Sequence, residues 1–314
     1  MNRQQTTDTV LMVRPVRFGF NPETAVTNSF QSAIPQLSAN QVQDLALLEF
    51  DNFARLLKEH HIDVVFWNDT PYPHTPDSIF PNNWISTHQN GVVATYPMKT
   101  PNRRAERSEE LLRVLSDVHH FTINKREHFE ASENEGLILE GTGSLVLDRV
   151  HRVAYAAISE RTNPEMVLEW VKRMQYNHAV LFTALDNKGA IYHTNVVMCI
   201  GTGFAVLGSH TIADDRERKL VIHELEKTGH EVIEVSNDQL LNHYAGNMLQ
   251  LHNKHGEKIL VLSQQAFDSL DVRQVKALQR HNDHLLPVPI HIIETIGGGS
   301  VRCMLCEIFL PTSK

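Results

Sequence analysis

The 314-residue chain holds only three cysteines, Cys199, Cys303 and Cys306. So few thiols exclude a disulfide scaffold and a four-cysteine zinc site, and the expectation is reduced thiols in a cytoplasmic protein. No apolar run approaches the roughly 18 residues a membrane helix needs, so no membrane partner is expected. The opening MNRQQTTDTVLMVRP contains no apolar signal core, and export is not expected. Positive charge is short: 29 Lys and Arg stand against 37 Asp and Glu, a net −8 that argues against nucleic acid as a partner. There is no Gly-, Ser- or Pro-rich linker and no low-complexity tract. Residues 1–314 therefore read as a single domain, long enough to bury a core without a metal or disulfide staple.

What is present is a recurring helix. SANQVQDLALLEFDNFARLLKEHH carries Val42, Leu45, Leu48, Phe53, Leu56 and Leu57 at helical spacing behind a Ser38 cap. NRRAERSEELLRVLSDV reads as a second helix, and a third opens on Asn163 with Pro164 at its first position. DDRERKLVIHELEKTG, stopped by Gly229, is the fourth, and SQQAFDSLDVRQVKALQRH the fifth. Each precedes a β-rich run: IDVVFW, HHFTI, HAVLF, HEVIEV and HLLPVPI. Further strand-like runs separate the helices, as in GLILEGTGSLVLDRVHRVAYAAIS. A period of roughly 50 to 60 residues predicts an α/β fold of about five strand–strand–helix–strand units, closer to a closed array than to a doubly wound sheet.

Four stretches carry candidate chemistry. GGGSVRCMLCEIF, residues 297–309, places three glycines before Cys303. Cys303 and Cys306 mimic a CxxC pair, but on a strand they would face opposite ways, and no second pair exists. No metal site and no cofactor is expected. The glycines allow close approach of backbone to a ligand, so Cys303 is the candidate nucleophile, in need of a base, and Cys306 is core. Most of the 19 histidines stand in solvated contexts such as KEHH, DVHH, HNDH and HNKHG. His223 lacks the second histidine of a zinc-protease helix, since Lys227 stands there. His193, in IYHTNVVMCIGTG, opens an apolar strand at a place where catalytic groups collect. Glu140, ending an apolar run in LILEGTG, is either a site carboxylate or an exposed strand-end charge. PDSIFPNNWIS sets Asn82 and Asn83 in a turn, as substrate-binding amides or as ordinary turn residues.

Together these stretches resemble the pentein (amidinotransferase, arginine deiminase-like) superfamily over essentially the whole chain. EGTG at Glu140 is similar to the family's Glu-Gly-Gly-Asp segment. HTN at His193 is similar to its His-x-Asp/Asn strand opening, and GGGSVRCM to its cysteine loop. The resemblance implies a five-fold pseudosymmetric α/β propeller of ββαβ units, with Cys303 as nucleophile, His193 as general acid/base and Glu140 as the assisting carboxylate. It also implies substrate contacts by Asn83 and Asn195, where arginine deiminases carry aspartates. A guanidinium is a cation that calls for carboxylates, whereas a ureido group is neutral, with one carbonyl acceptor and amide donors. Two amides with Glu140 alone to offset a cation favour the ureido group.

The pattern is similar to the citrulline-utilisation hydrolases. It implies conversion of a small molecule, citrulline, to ornithine, ammonia and carbon dioxide through a covalent Cys303 intermediate, without a cofactor. Arg302, beside the nucleophile, is the candidate for the substrate carboxylate, Asn82 a further polar contact, and Gly246 part of a pocket wall. The same site admits an arginine deiminase or dimethylarginine hydrolase reaction, or amidino transfer. A non-catalytic binding protein on the same fold is the distant alternative. None of these patterns encodes an oligomeric state.

Overall fold

The computed structural model describes residues 3–312. β1 (Thr9–Arg14) and β2 (Asp63–Asn68) are parallel, joined by the long helix α1 (Ala39–Glu59). β3 (Ile85–Thr87) then pairs antiparallel with β4 (Val92–Thr95), and β4 pairs parallel with β5 (Lys125–His128) through α2 (Glu109–Asp117). The same order recurs in β6 (Val146–Asp148), β7 (Val153–Ala157), α3 (Pro164–Arg173) and β8 (His178–Phe182). It recurs again in β9 (Met198–Gly201), β10 (Phe204–Leu207), α4 (Asp215–Lys227) and β11 (Glu231–Glu234). The last full copy is β12 (Leu249–His252), β13 (Lys258–Ser263), α5 (Val272–His281) and β14 (His284–Val288). The first sheet takes its front strand from the far end of the chain: β15 (Cys306–Glu307) lies antiparallel to β1, with Val10 opposite Glu307. Among the described residues this gives five three-stranded sheets of one design. Their front strands touch from sheet to sheet, β6 on β9, β9 on β12 and β15 on β3.

Helix starts follow the cap chemistry. Ser38 and Gln41 form a reciprocal capping box on α1, and Asn163 accepts from the Glu165 and Met166 amides ahead of Pro164. On its inner face α1 buries Phe50, Phe53 and Leu57 against Val10 and Met12 of β1.

Three sequence expectations change. The continuous helix over NRRAERSEELLRVLSDV is a short turn, Pro101–Arg104, followed by α2, because Ser108 accepts the Leu111 amide and starts a new N-terminus. The helix over SQQAFDSLDVRQVKALQRH divides into Gln264–Ser269 and α5, because Asp271 caps α5 in the same manner. HHFTI is not a strand: the parallel partner of β4 is Lys125–His128, and Phe121 makes only an isolated bridge to Thr312.

Candidate active site

The site is built from the turns that lead into the front strands. Asn83 precedes β3, Glu140 and Gly143 precede β6, His193 and Asn195 precede β9, Asn247 precedes β12, and Cys303 precedes β15. The Gly141–Ser144 turn packs on both the Pro81–Asn83 and Thr194–Val197 turns. Two glycines make that packing possible. A Cβ on Gly141, whose φ is +47°, would stand 2.4 Å from the Asn82 carbonyl oxygen. One on Gly143 would stand 2.4 Å from Asn83 Nδ2 and 2.7 Å from His193 Nδ1.

Cys303 is 2% exposed, His193 1% and Glu140 0%, so the three candidate groups are enclosed. Cys303 lies in a turn, not on the expected strand: its amide donates to the Ser300 carbonyl at 2.9 Å. The glycine loop brings this turn close. Gly298 is left-handed at φ +64°, and a Cβ on Gly299 would crowd the Phe80 ring at 3.1 Å and Cys303 Cβ at 3.3 Å. The Cys303 sulfur receives Asn195 Nδ2 and Asn247 Nδ2, each at 3.4 Å. Burial pushes the Cys306 and Cys199 thiols up to about 12, and Cys306 packs in the core with Leu11 and Ile85.

His193 caps the Thr194–Val197 turn and does not open β9 directly. Its Nε2 lies 2.8 Å from Glu140 Oε2, while Glu140 Oε1 accepts the Lys99 amide at 2.9 Å. Burial alone would raise the Glu140 carboxyl. Arg161, with its Nη1 at 3.5 Å, the His193 bond and Arg103 together hold it well below the ordinary carboxylate range. Burial pulls His193 down to about 4, opposed by Glu140 and reinforced by Arg161 and Arg103. The imidazole is therefore neutral at pH 7. An ionised carboxylate only accepts, so the proton sits on Nε2 and Nδ1 is left as an unprotonated acceptor.

Around this core lie groups that the sequence patterns did not single out. Arg103 donates to Glu106 at 2.8 and 2.9 Å and to Asn83 Oδ1 at 2.7 Å. Arg161 is anchored on Thr24 and Thr27 and lies over the Tyr192 ring. Asp77 accepts from Asn21 and Thr24 through Oδ2, and among the described residues its Oδ1 has no partner. Orphaned buried polar atoms gather here: Asp77 Oδ1, both Asn82 amide atoms, Asn83 Nδ2 and Asn195 Oδ1. Such atoms are costly unless something binds them. The segment carrying Asn28 and Gln31 roofs the cysteine loop, donating to the Gly298 and Gly297 carbonyls. Beside it a 320 Å³ cleft is lined by Thr27, Asn28, Arg161 and Tyr192.

Two expected contacts are corrected. Arg302 does not present its guanidinium to a substrate carboxylate: it is buried on Glu307 at 2.8 Å and the Leu305 carbonyl at 2.8 Å. Gly246 is a packing glycine, since a Cβ there would stand 2.2 Å from the Val196 carbonyl oxygen. Its neighbour Asn247 is the residue at the sulfur.

Residues 14–310 match the family described as N,N dimethylarginine dimethylhydrolase, eukaryotic. The chain belongs to that family. It thereby falls within the pentein, arginine deiminase-like superfamily. No curated protein matches the chain at the level of sequence. Among solved structures, unliganded ArgZ, an arginine dihydrolase from the ornithine-ammonia cycle in cyanobacteria, superposes with a TM-score of 0.74 at 16% identity. That match covers 97% of this chain and 41% of ArgZ, so the chain spans less than half of that protein. The substrate-bound N-terminal domain of ArgZ gives 0.72 at 16% identity, covering 96% of this chain and 99% of the domain. A dimethylarginine dimethylaminohydrolase carrying a chloropyridine adduct gives 0.65 at 14%, covering 97% and 100%. At these identities the likeness establishes the fold shared by the family.

Proposed function

We propose that the chain is a cysteine-dependent hydrolase of the C–N bonds at the terminal carbon of a ureido amino acid, with citrulline as substrate. The five units, read as one domain closed into a ring, hold the reacting groups at its centre. The observation that carries the substrate choice is the polarity of two orphaned amides. Arg103 can only donate, so it fixes Asn83 with Oδ1 towards Nη1 and leaves Nδ2 as an unused donor beside His193. Asn195 gives its Nδ2 to the sulfur and leaves Oδ1 as an unused acceptor. A ureido group answers both, its carbonyl taking the Asn83 donor and its N–H the Asn195 acceptor. A guanidinium has donors only and would meet Asn83 Nδ2 with another N–H.

Cys303 Sγ attacks the ureido carbon as its proton passes to His193 Nδ1. The C–N bond to the ornithine nitrogen breaks, and that nitrogen takes the proton from His193. An S-carbamoyl cysteine remains. Water, deprotonated by His193, adds to its carbon, the S–C bond breaks with the proton returned to sulfur, and the released carbamic acid falls to ammonia and carbon dioxide. Asp77 Oδ1, which is unpartnered, is the acceptor we assign to the substrate α-ammonium; burial raises this carboxyl, and Arg103 and Arg161 oppose that rise and favour the ionised form the contact needs.

A second reading, a guanidino substrate, draws on the same Asp77: with Glu140 it supplies a second buried carboxylate, which two amides alone would lack. Incubation with citrulline and, separately, arginine, with a Cys303→Ala control, decides between them. Ornithine and ammonia from citrulline, absent in the control, bear out the ureido reading. Turnover of arginine alone overturns it.

A further inference from the structure

A cavity of 350 Å³ whose lining does not include Cys303 is formed by Arg3, His88, Arg149, Arg152 and Tyr176 with Gln89, Asn90 and Met174, and holds no carboxylate among its lining residues. That is against the grain of a chain with net charge −8. Arg149 is nine-tenths buried and stands over the Phe309 ring at 4.1 Å. Its Nη2 lies 3.4 Å from Glu307 Oε2, but Arg302 holds the same oxygen at 2.8 Å. Two guanidiniums therefore share one carboxylate, and the buried trio carries one excess positive charge. Arg152 sits against the Tyr176 ring and donates to the Met174 carbonyl, and Arg3 donates to the Val150 carbonyl. Among the described residues neither has a carboxylate partner. Asp148 on β6, which acts on Tyr176 from nearby, faces His151 at 2.8 Å.

The neutral groups agree. His88 is kept neutral by burial and by Arg149 and Arg152, and it bonds Ser86 at 3.0 Å, which bonds Tyr96. Burial raises Tyr176 against the pull of the same two cations, so its hydroxyl remains a donor. We propose that this pocket binds a small polyvalent oxyanion, of the phosphate or polycarboxylate class. Guanidiniums match oxyanions through paired, charge-assisted bonds, and a cavity of this size holds a small molecule.

The test is calorimetric titration of the full chain with inorganic phosphate, pyrophosphate and citrate, in chloride buffer of matched ionic strength. Saturable one-site binding by at least one of them is expected. Arg152→Gln and Arg3→Gln should each weaken it about tenfold. A preference for pyrophosphate over citrate, or the reverse, supports the pocket and identifies the class. Absence of saturation with all three anions overturns the proposal. So does unchanged affinity in the variants, which would put the anion elsewhere, for instance on the arginines near Cys303. If Arg152→Gln fails to fold by circular dichroism, Arg3→Gln decides alone, because Arg3 is exposed and gives up one hydrogen bond.

Discussion

His193 Nε2 and Glu140 Oε2 stand 2.8 Å apart, and that bond determines which imidazole nitrogen can act. Glu140 stays anionic beside Arg161 and holds the Nε2 proton, which frees Nδ1, the atom that crowds Gly143 alongside Asn83. The proposed base is thus unprotonated and oriented in the free protein.

This arrangement has a pH signature. Because His193 lies at about 4, the acid limb of kcat/KM should fall near pH 4, well below the ordinary histidine range. Arg161 is one of the cations that disfavour the imidazolium, so Arg161→Gln should move the limb to higher pH. A limb that stays in place while the rate drops would show that Arg161 acts only by holding the segment around Thr24 and Thr27.

Asn83→Asp should exchange one substrate class for another. It replaces the orphaned donor by a second acceptor while keeping the bond to Arg103. Loss of a donor to the ureido oxygen should lower kcat/KM for citrulline on the order of 10²-fold. Binding of arginine should tighten about tenfold through the new charge-assisted bond. Steady-state kinetics with both substrates measures this, and an unchanged citrulline rate would place Nδ2 outside the reaction.

The ββαβ order was legible because caps such as Ser38 and Asn163 are local and the repeat is regular. Cys303, His193 and Glu140 stood out as candidates because a cysteine behind three glycines, and polar residues at the ends of apolar runs, are unusual core chemistry. Arg302 and Gly246 were misassigned, and Asn247 was passed over, for one reason: which way a side chain points from a turn depends on the turn's dihedrals, and those depend on contacts with distant segments. Asn247 did leave a signal. Like Asn83, Asn195 and Cys303, it stands two or three residues ahead of a front strand, a position visible only once the five units are aligned. Asp77, Arg103 and Arg161 had none, since nothing local distinguishes a buried, paired charge from a solvated one.

Gly143→Ala tests the close contact of turns. The added methyl would meet two atoms that cannot easily retreat, Asn83 being held by Arg103 and His193 by Glu140. A displacement on the order of 1 Å at the base should cost about 10²-fold in kcat. Overpacking should also destabilise by about 1–3 kcal/mol, read from urea denaturation. Full activity would mean that neither residue needs its present position.

Stability should fall as pH rises from 6.5 to 8. Glu49 accepts the Ile292 and Ile293 amides at 2.9 Å each, and Glu294, in the same helical turn region, bonds Ser300 and Gln265. Burial pushes both carboxyls up to about 7, and the Glu49 charge adds to the effect on Glu294. Between the ordinary 4.5 and 7 the folded chain keeps protons that the unfolded chain has released, so their contribution is complete at low pH and is lost as pH rises through 7. His193 and His88 work in the opposite sense, since both are held neutral in the fold. Their contribution is lost as pH falls through the histidine range; with the unfolded imidazoles half protonated at about 6.5, it offsets part of the carboxyl loss from 6.5 to 8 and leaves the net slope downward. Melting temperatures across that window should decline, and Glu49→Gln should flatten the decline whatever it does to the absolute value. A flat or rising wild-type curve would mean that both carboxylates are ionised in the folded chain already at pH 6.5, with the helix amides and Ser300 offsetting their burial in full.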